Sequence, residues 1–347
     1  MIERLATFKF DAEDLCFRNA EALRDHLYSL EGVEVDHIGY ARDRMDLFGI
    51  RFGQGQKNVS VIAGCHADEP IGPMTAQILS RYLTRFFPEL LGQYRFSVVP
   101  QMNPLGAEKN RRWFADSPEL WRYLRHALRE LPGEDIEFGF GTGARVREEC
   151  RATQAFLAKT TPYTAHFSLH GMAIAEGVWC LICQEWKERA VPYMDAFDAL
   201  CDQLVYPRHD IERHGEKGFT RIRPGYCTTP TSTAMKKFFL DKNDRMMAGR
   251  FHPSSMEWAQ SQGGDPICIV SELPLFTIGQ RTSDLADPVA ARLKGELGDA
   301  RLLTGQAFLD EVARIRDAYA LKTTPLELQV RLQIAMIVLA LTTLADA

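Results

Sequence analysis

A chain of 347 residues that is 46% hydrophobic can bury a sizeable core, and 41 basic against 46 acidic residues leave a net charge of -5, which excludes a general polyanion-binding surface and makes nucleic acid an unexpected partner. Residues 1–10 lack the basic segment, apolar core and small-residue cleavage site of a secretory signal, and the apolar run 334–344 falls short of the roughly 18 to 20 residues that cross a bilayer; a cytoplasmic protein with no membrane partner is expected. Eight cysteines are scattered, several inside apolar runs, so no disulfides are expected, and Cys180-Leu181-Ile182-Cys183 has no second pair with which to complete a structural zinc site.

Residues 12–30 carry helical spacing of apolar side chains behind Asp11 as a cap, and β-like runs follow at 33–40 and 44–52. Strands expected at 59–63, 94–100, 166–169, 177–183 and 267–271 alternate with helical segments at 74–87, 149–159 and 190–204. That alternation predicts an α/β fold with a mixed, mostly parallel sheet flanked by helices. Residues 208–266, rich in Gly, Pro, Thr, Lys and Arg, show little periodicity and read as an elaborated loop region of the kind that sets specificity. From residue 287 the pattern turns helical, over 289–303, 306–320 and 325–344. One dominant domain over 1–284 is expected, with a helical C-terminal extension, 285–347, packed on it.

The chemistry-bearing residues gather where the expected strands end. His66-Ala67-Asp68-Glu69 follows the apolar run 59–64 and offers an imidazole and a carboxylate three residues apart, a metal-ligand spacing, just before the helix start Pro70-Ile71-Gly72-Pro73. His170 follows Phe167-Ser168-Leu169 and precedes a glycine, and Glu272 ends the run Ile267-Cys268-Ile269-Val270-Ser271. In open α/β sheets, sites form at the carboxyl ends of strands. A hydrolytic zinc site needs three protein ligands and an open position for water, together with a base. His66, Glu69 and His170 meet the first need and Glu272 the second, whereas His166, at the start of its strand, reads as structural.

In their order these motifs resemble those of the zinc carboxypeptidases and the related succinylglutamate desuccinylase and aspartoacylase amidohydrolases. Ile38 to Ile50 looks like the family's early strand pair, Gly64-Cys65-His66-Ala67-Asp68-Glu69-Pro70 its first zinc motif, Ser168-Leu169-His170-Gly171 its third ligand and Ser271-Glu272-Leu273-Pro274 its catalytic glutamate. Asn103-Pro104-Leu105-Gly106 is similar to the segment that leads to an oxyanion-stabilising arginine, which makes Arg111 or Arg112 the candidate for that part. The resemblance implies one zinc ion per chain and a peptide or acyl-amino-acid substrate.

One segment departs from the pattern. The family's Asn-Arg clamp for a terminal carboxylate is either Asn110-Arg111, with the following segment shortened, or is replaced by Glu137-Phe138 within Glu134-Asp135-Ile136-Glu137-Phe138-Gly139. The second alignment puts Glu137 at the rim of the substrate pocket, where its charge would repel a terminal carboxylate. Arg145, Arg147 or basic residues of the 208–250 region would then have to supply any anion site, and Tyr226 is a candidate phenol over the pocket. The expected function is zinc-dependent hydrolysis of a peptide or amide bond; an acyl-amino-acid deacylase and a catalytically silent binding protein on the same fold are the alternatives.

Overall fold

The computed structural model describes residues 1–114, 118–131, 136–143, 146–279 and 289–344. Its strands are β1 (Glu34–Tyr40), β2 (Asp46–Phe52), β3 (Lys57–Ala63), β4 (Tyr94–Val99), β5 (Ala165–Ala175), β6 (Trp179–Ile182), β7 (Arg221–Arg223), β8 (Tyr226–Thr228), β9 (Ile267–Thr277) and β10 (Lys322–Thr323). They form one sheet in the order β1-β2-β4-β3-β5-β9-β6-β8-β7, with β10 beside β9. The central strands β4, β3, β5 and β9 are parallel, whereas β2 and β6 join this centre antiparallel. The mixed, helix-flanked sheet expected from the alternation of elements is the one observed.

Successive residues of a strand point to opposite faces, and helices cover both faces of the centre. Val61 and Val98 pack into the larger core with Ile78 and Leu79 of the helix Ile71–Phe86, while Ile62 and Val99 join a smaller core with Phe156 and Trp258. Burial on both sides explains why these strands read as near-continuous apolar runs. His166 lies on the smaller core's face, held between Ser60 Oγ at 2.8 Å and Ser255 Oγ at 3.1 Å. Burial pulls its pKa down to about 4, so the ring is a neutral structural group at physiological pH.

The helix Leu326–Thr343 is long and apolar enough to cross a membrane by length and composition, yet 72% of it is buried inside the protein. It runs further than the expected apolar stretch 334–344 because polar residues in its first turns are satisfied internally. Arg331 donates to the carbonyls of Leu5 and Phe8 and to Glu327. Gln333 donates to the His170 carbonyl and to Ser271 Oγ, and accepts from Thr75. This helix completes the core rather than resting on a finished one. The boundary expected at 284 lies outside the described residues.

The 208–266 region is also less open than its sequence implied, since it contains β7, β8 and the helices Ser232–Asp241, Arg245–Ala248 and Ser255–Ser261. These elements are too short to build a periodic apolar pattern; the last depends on a reciprocal cap between Ser254 and Glu257. All eight cysteines are free thiols, seven of them buried.

Candidate metal centre and active site

Two glycines let the first motif reach the centre. β3 ends at Ala63, and Gly64 turns the chain at φ +73, where a Cβ would stand 1.9 Å from Gln101 Oε1. The chain then carries His66 to Glu69 before the helix begins at Ile71. At Gly72 a Cβ would lie 2.2 Å from the Leu169 carbonyl oxygen, so this helix presses directly against β5. On β5, His170 pairs in register with Glu272 of β9, and Glu272 pairs on its other side with Trp179 of β6. Residues separated by up to about two hundred positions thereby meet on one face.

The donor atoms converge tightly. His66 Nδ1 lies 2.8 Å from Glu69 Oε1, His170 Nδ1 lies 2.8 Å from Glu69 Oε2, and the two Nδ1 atoms are 3.0 Å apart. His170 and Glu69 are buried and His66 is nearly so. Around a tetrahedral zinc with bonds of ~2.0 to 2.1 Å, donors stand about 3.3 Å apart, so the triangle need open by only a few tenths of an ångström. Two imidazoles and one carboxylate are the protein donor set of a catalytic zinc, which keeps its fourth position for water or substrate. The residues fit the ion.

Without the ion, the charges compensate one another. Against the effect of burial, the Glu69 carboxylate and the hydrogen bonds from His170 raise the His170 pKa well above its ordinary value. Also against burial, His66, Arg129 and His170 hold Glu69 well below the usual carboxylate range. Glu272 behaves oppositely: burial, reinforced by the Glu69 charge, pushes it up to about 8 despite His170 and Arg129.

Glu137 is not at the pocket rim, which corrects the expectation drawn from the alignment. It is buried behind His170, accepting from His170 Nε2 at 3.0 Å, from Ser168 Oγ at 3.0 Å and from the amide and hydroxyl of Ser255. Burial opposes its charge, but these bonds hold it down at about 2. The carboxylate therefore fixes the ring that presents Nδ1 to the donor triangle, the arrangement that orients metal-ligating histidines. Phe138, the other half of the supposed clamp, packs on Phe251 with ring centroids 5.4 Å apart. Cys65, Glu137 and His170 also bring donor atoms together, but the oxygens of Glu137 are already engaged and burial pushes the Cys65 thiol up to about 12.

The remaining candidates are placed elsewhere. Arg111 and Arg112 are on the exposed side of the helix Pro104–Phe114, where Arg111 pairs with Glu108 at 3.1 Å. The helix turns Gly106, Ala107, Asn110 and Trp113 inward instead. Asn110 is fully buried and spends its amide on the Gly106 and Leu128 carbonyls, the Leu128 amide and the Trp113 indole, which leaves no group for substrate. Tyr226 is buried, its hydroxyl donating to the Met194 carbonyl and to Asp198, so it is a packed tyrosine and not a phenol over the pocket. Arg147 pairs with Glu149 at 2.7 Å; Arg145 lies outside the described residues.

The cation beside the donors is Arg129, which sequence reasoning missed. Its Nη1 donates to Glu69 Oε1 at 2.8 Å and to Asp68 Oδ1 at 3.3 Å, and its side chain keeps 47% exposure. Leu128-Arg129-Glu130 has no motif to mark it; the only available signal was a basic residue between two helical segments that flank the site. Trp179, the register partner of Glu272 on its other side, stacks on Phe219 with ring centroids 5.6 Å apart.

Residues 30–171 match the family model for zinc carboxypeptidases. A search of curated proteins finds no match. Among solved structures, a provisionally named metallopeptidase from Shewanella amazonensis is similar with a TM-score of 0.55 at 15% identity, over 94% of this chain and 92% of that one. A second from Shewanella denitrificans gives 0.53 at 13% identity, over 94% and 90%. A provisionally named carboxypeptidase from Burkholderia mallei gives 0.52 at 12% identity, over 94% of this chain and 67% of that one. At such identities the likeness is one of fold.

Proposed function

We propose that this chain, whose fold is that of the zinc carboxypeptidases, is a zinc-dependent hydrolase of peptide or amide bonds. The observation that supports this reading best is the convergence of His66 Nδ1, the Glu69 carboxylate and His170 Nδ1 within 3.0 Å, with Glu272 in register beside them. These three residues would hold one zinc ion per chain. When bound, zinc supplies Lewis acidity, acidifying a water and polarising the scissile carbonyl.

Glu272 takes up the proton of the attacking water on its carboxylate and then, as a carboxylic acid, gives it to the departing nitrogen. A pKa pushed up towards neutrality suits a group that must do both. Arg129 has Nε and Nη2 to offer to the charge that develops on the carbonyl oxygen, because Nη1 alone holds Asp68 and Glu69. Trp179, in register with Glu272, gives the scissile group an apolar neighbour. Free thiols throughout accord with a reducing, cytoplasmic setting.

A deacylase of acyl-amino acids is the second reading. It is favoured by the absence of a clamp at 137–138, where Glu137 serves His170 and Phe138 serves the packing. Metal analysis, with a varied amide library offered to the zinc-loaded protein and to Glu272→Gln, tests the proposal. The expected result is about one zinc in both proteins and a fall in kcat of about 10²- to 10⁴-fold in the variant. Failure of every amide to react with the zinc-loaded wild type would leave a binding protein in its place.

A further inference from the structure

Arg129 reaches the donor atoms from a segment that apolar packing does not hold. Leu128 on one side of it is 54% exposed and Leu131 beyond it 61%, and the arginine side chain itself keeps 47% exposure. A long side chain on a loose segment would spread over many rotamers, and its guanidinium would spend little time in one place. The groups that fix this segment are polar and come from the helix Pro104–Phe114, whose Arg111 and Arg112 lie on its exposed side.

Asn110 of that helix is fully buried, and its side-chain amide pairs with Leu128 as a second peptide group would. Oδ1 accepts from the Leu128 amide at 2.8 Å, and Nδ2 donates to the Leu128 carbonyl at 2.8 Å. The remaining lone pair takes the Trp113 indole at 2.8 Å, and the remaining proton goes to the Gly106 carbonyl at 2.9 Å. All four hydrogen-bonding positions of the amide are filled, and the groups around it allow only one placement of oxygen and nitrogen. The Leu128 carbonyl belongs to the planar peptide unit that leads into Arg129, so Asn110 fixes the plane from which the arginine departs.

The other side of Arg129 is tied to the first motif. The Glu130 carboxylate accepts from Asn103 Nδ2 and from the amide of Ala67 at 3.4 Å, and Ala67 stands between His66 and Asp68. Asn103 Oδ1 accepts from the Gly106 amide at 3.0 Å, which joins this contact to the start of the same helix. At Gly106 a Cβ would stand 2.6 Å from the Ala67 Cβ and 2.6 Å from Asn103 Nδ2, so glycine is what lets the helix approach the motif this closely. We propose that Asn110 and Glu130 are positioning residues for Arg129: they lock the backbone on its two sides and so aim the guanidinium at Glu69 and at the carbonyl oxygen under attack. The second of these aims rests on the hydrolase reading, the first on geometry alone.

The first arm of the test needs neither zinc nor catalysis. Metal-free protein with isotope-labelled arginine is compared by nuclear magnetic resonance with Asn110→Ala, Glu130→Ala and Arg129→Ala, the last identifying the Arg129 signals. In the wild type the guanidinium protons of Arg129, held at Asp68 and Glu69, resonate apart from the averaged signal of freely rotating arginines. In Asn110→Ala and in Glu130→Ala they merge with that average. Persistence of the separate signals in either folded variant overturns the role of that residue, and their absence from the wild type overturns both. Glu130 is half-buried, so its variant decides alone should Asn110→Ala not fold.

The second arm is a double-mutant cycle on the zinc-loaded protein with one amide substrate. Asn110→Ala lowers kcat by about 10- to 100-fold, the scale of a misplacement by about 1 Å, and leaves KM within about threefold. In an Arg129→Ala background the same substitution lowers kcat by less than about threefold, although it costs the same in melting temperature. A merely structural asparagine would reduce kcat equally with and without Arg129; that result overturns the aim at the carbonyl oxygen and leaves the hydrolase standing. No effect of Arg129→Ala on kcat sinks the oxyanion role of Arg129, and failure of every amide to react sinks the hydrolase. In both of those cases the spectra of the first arm still decide whether Asn110 and Glu130 set the contact between Arg129 and Glu69.

Discussion

β5 and β9 form one continuous ladder, yet its two stretches are built on different principles. At His170 and Glu272 the strands supply the reactive groups themselves. At Ile174 and Phe276 they supply only an apolar floor, and the apolar side chains around it, Tyr123, Leu293 and Leu297, come from separate helices. The difference is one of tolerance. Donor atoms must meet within a few tenths of an ångström, which strands in fixed register provide. An apolar floor asks only for contact, which side chains can make from several directions, so helices far along the sequence suffice. Substitutions at the two stretches should therefore fail in different ways.

The largest expected effect is at the donor stretch. His170→Ala removes one of three protein ligands and should cost nearly all the zinc and all measurable turnover. His166→Ala, four residues earlier on the same strand, removes a ring held by Ser60 and Ser255 and should lower the melting temperature while the metal stays. Metal analysis of the two purified variants decides between them; zinc retained in His170→Ala and lost in His166→Ala would reverse the assignment.

Next in size is the contrast between two arginines. Arg129→Ala should reduce kcat by about 10²- to 10³-fold, the usual loss on removing a donor to a developing oxyanion. Arg111→Ala, on an exposed helix side beside Glu108, should change kcat less than about threefold. Steady-state kinetics on one good substrate reads both, and the reverse order would return the oxyanion to the helix Pro104–Phe114.

Glu137→Gln should have a smaller effect, because the amide keeps the shape but weakens the hold on His170 Nε2. Loss of such an outer partner lowers metal affinity by about 10- to 100-fold. Competition with a chelator measures it. Should zinc affinity stay the same and only substrate KM change, Glu137 would belong to the pocket after all.

Legibility followed the same division. His66, Glu69, His170 and Glu272 could be found because each ends an apolar run, and the parallel sheet could be inferred from alternating strands and helices. Arg129 could not, since a lone arginine between helical segments has no periodicity or spacing to mark it. The Glu137 position was recognised as a departure, but its meaning needed the third dimension: nothing in Ile136-Glu137-Phe138 says that the carboxylate points under a histidine 33 residues away. The helix Leu326–Thr343 was visible as apolar, while its place inside the core depended on Arg331 and Gln333 finding partners across the fold.

The smallest effect, and the sharpest check on the donor stretch, is the proton count of zinc binding. In the metal-free protein, against the effect of burial, the Glu69 carboxylate and the hydrogen bonds to Glu69 and Glu137 raise the His170 pKa well above its ordinary value, which favours a proton on both ring nitrogens, Nδ1–H facing Glu69 and Nε2–H facing Glu137. Glu272, at about 8, is also protonated at pH 7. A ligating His170 must give up its Nδ1 proton, and a dication beside Glu272 draws off a second. Apparent zinc affinity should thus rise with pH by about tenfold per unit for each proton released and flatten once both groups are already deprotonated. Titration calorimetry in buffers of different ionisation enthalpy should count roughly two protons released per zinc at pH 7. Glu272→Gln should lose one of these protons and keep the other, which belongs to His170. A wild-type release near zero would mean that His170 is already neutral and that the donor triangle stands prepared without the charge balance described above.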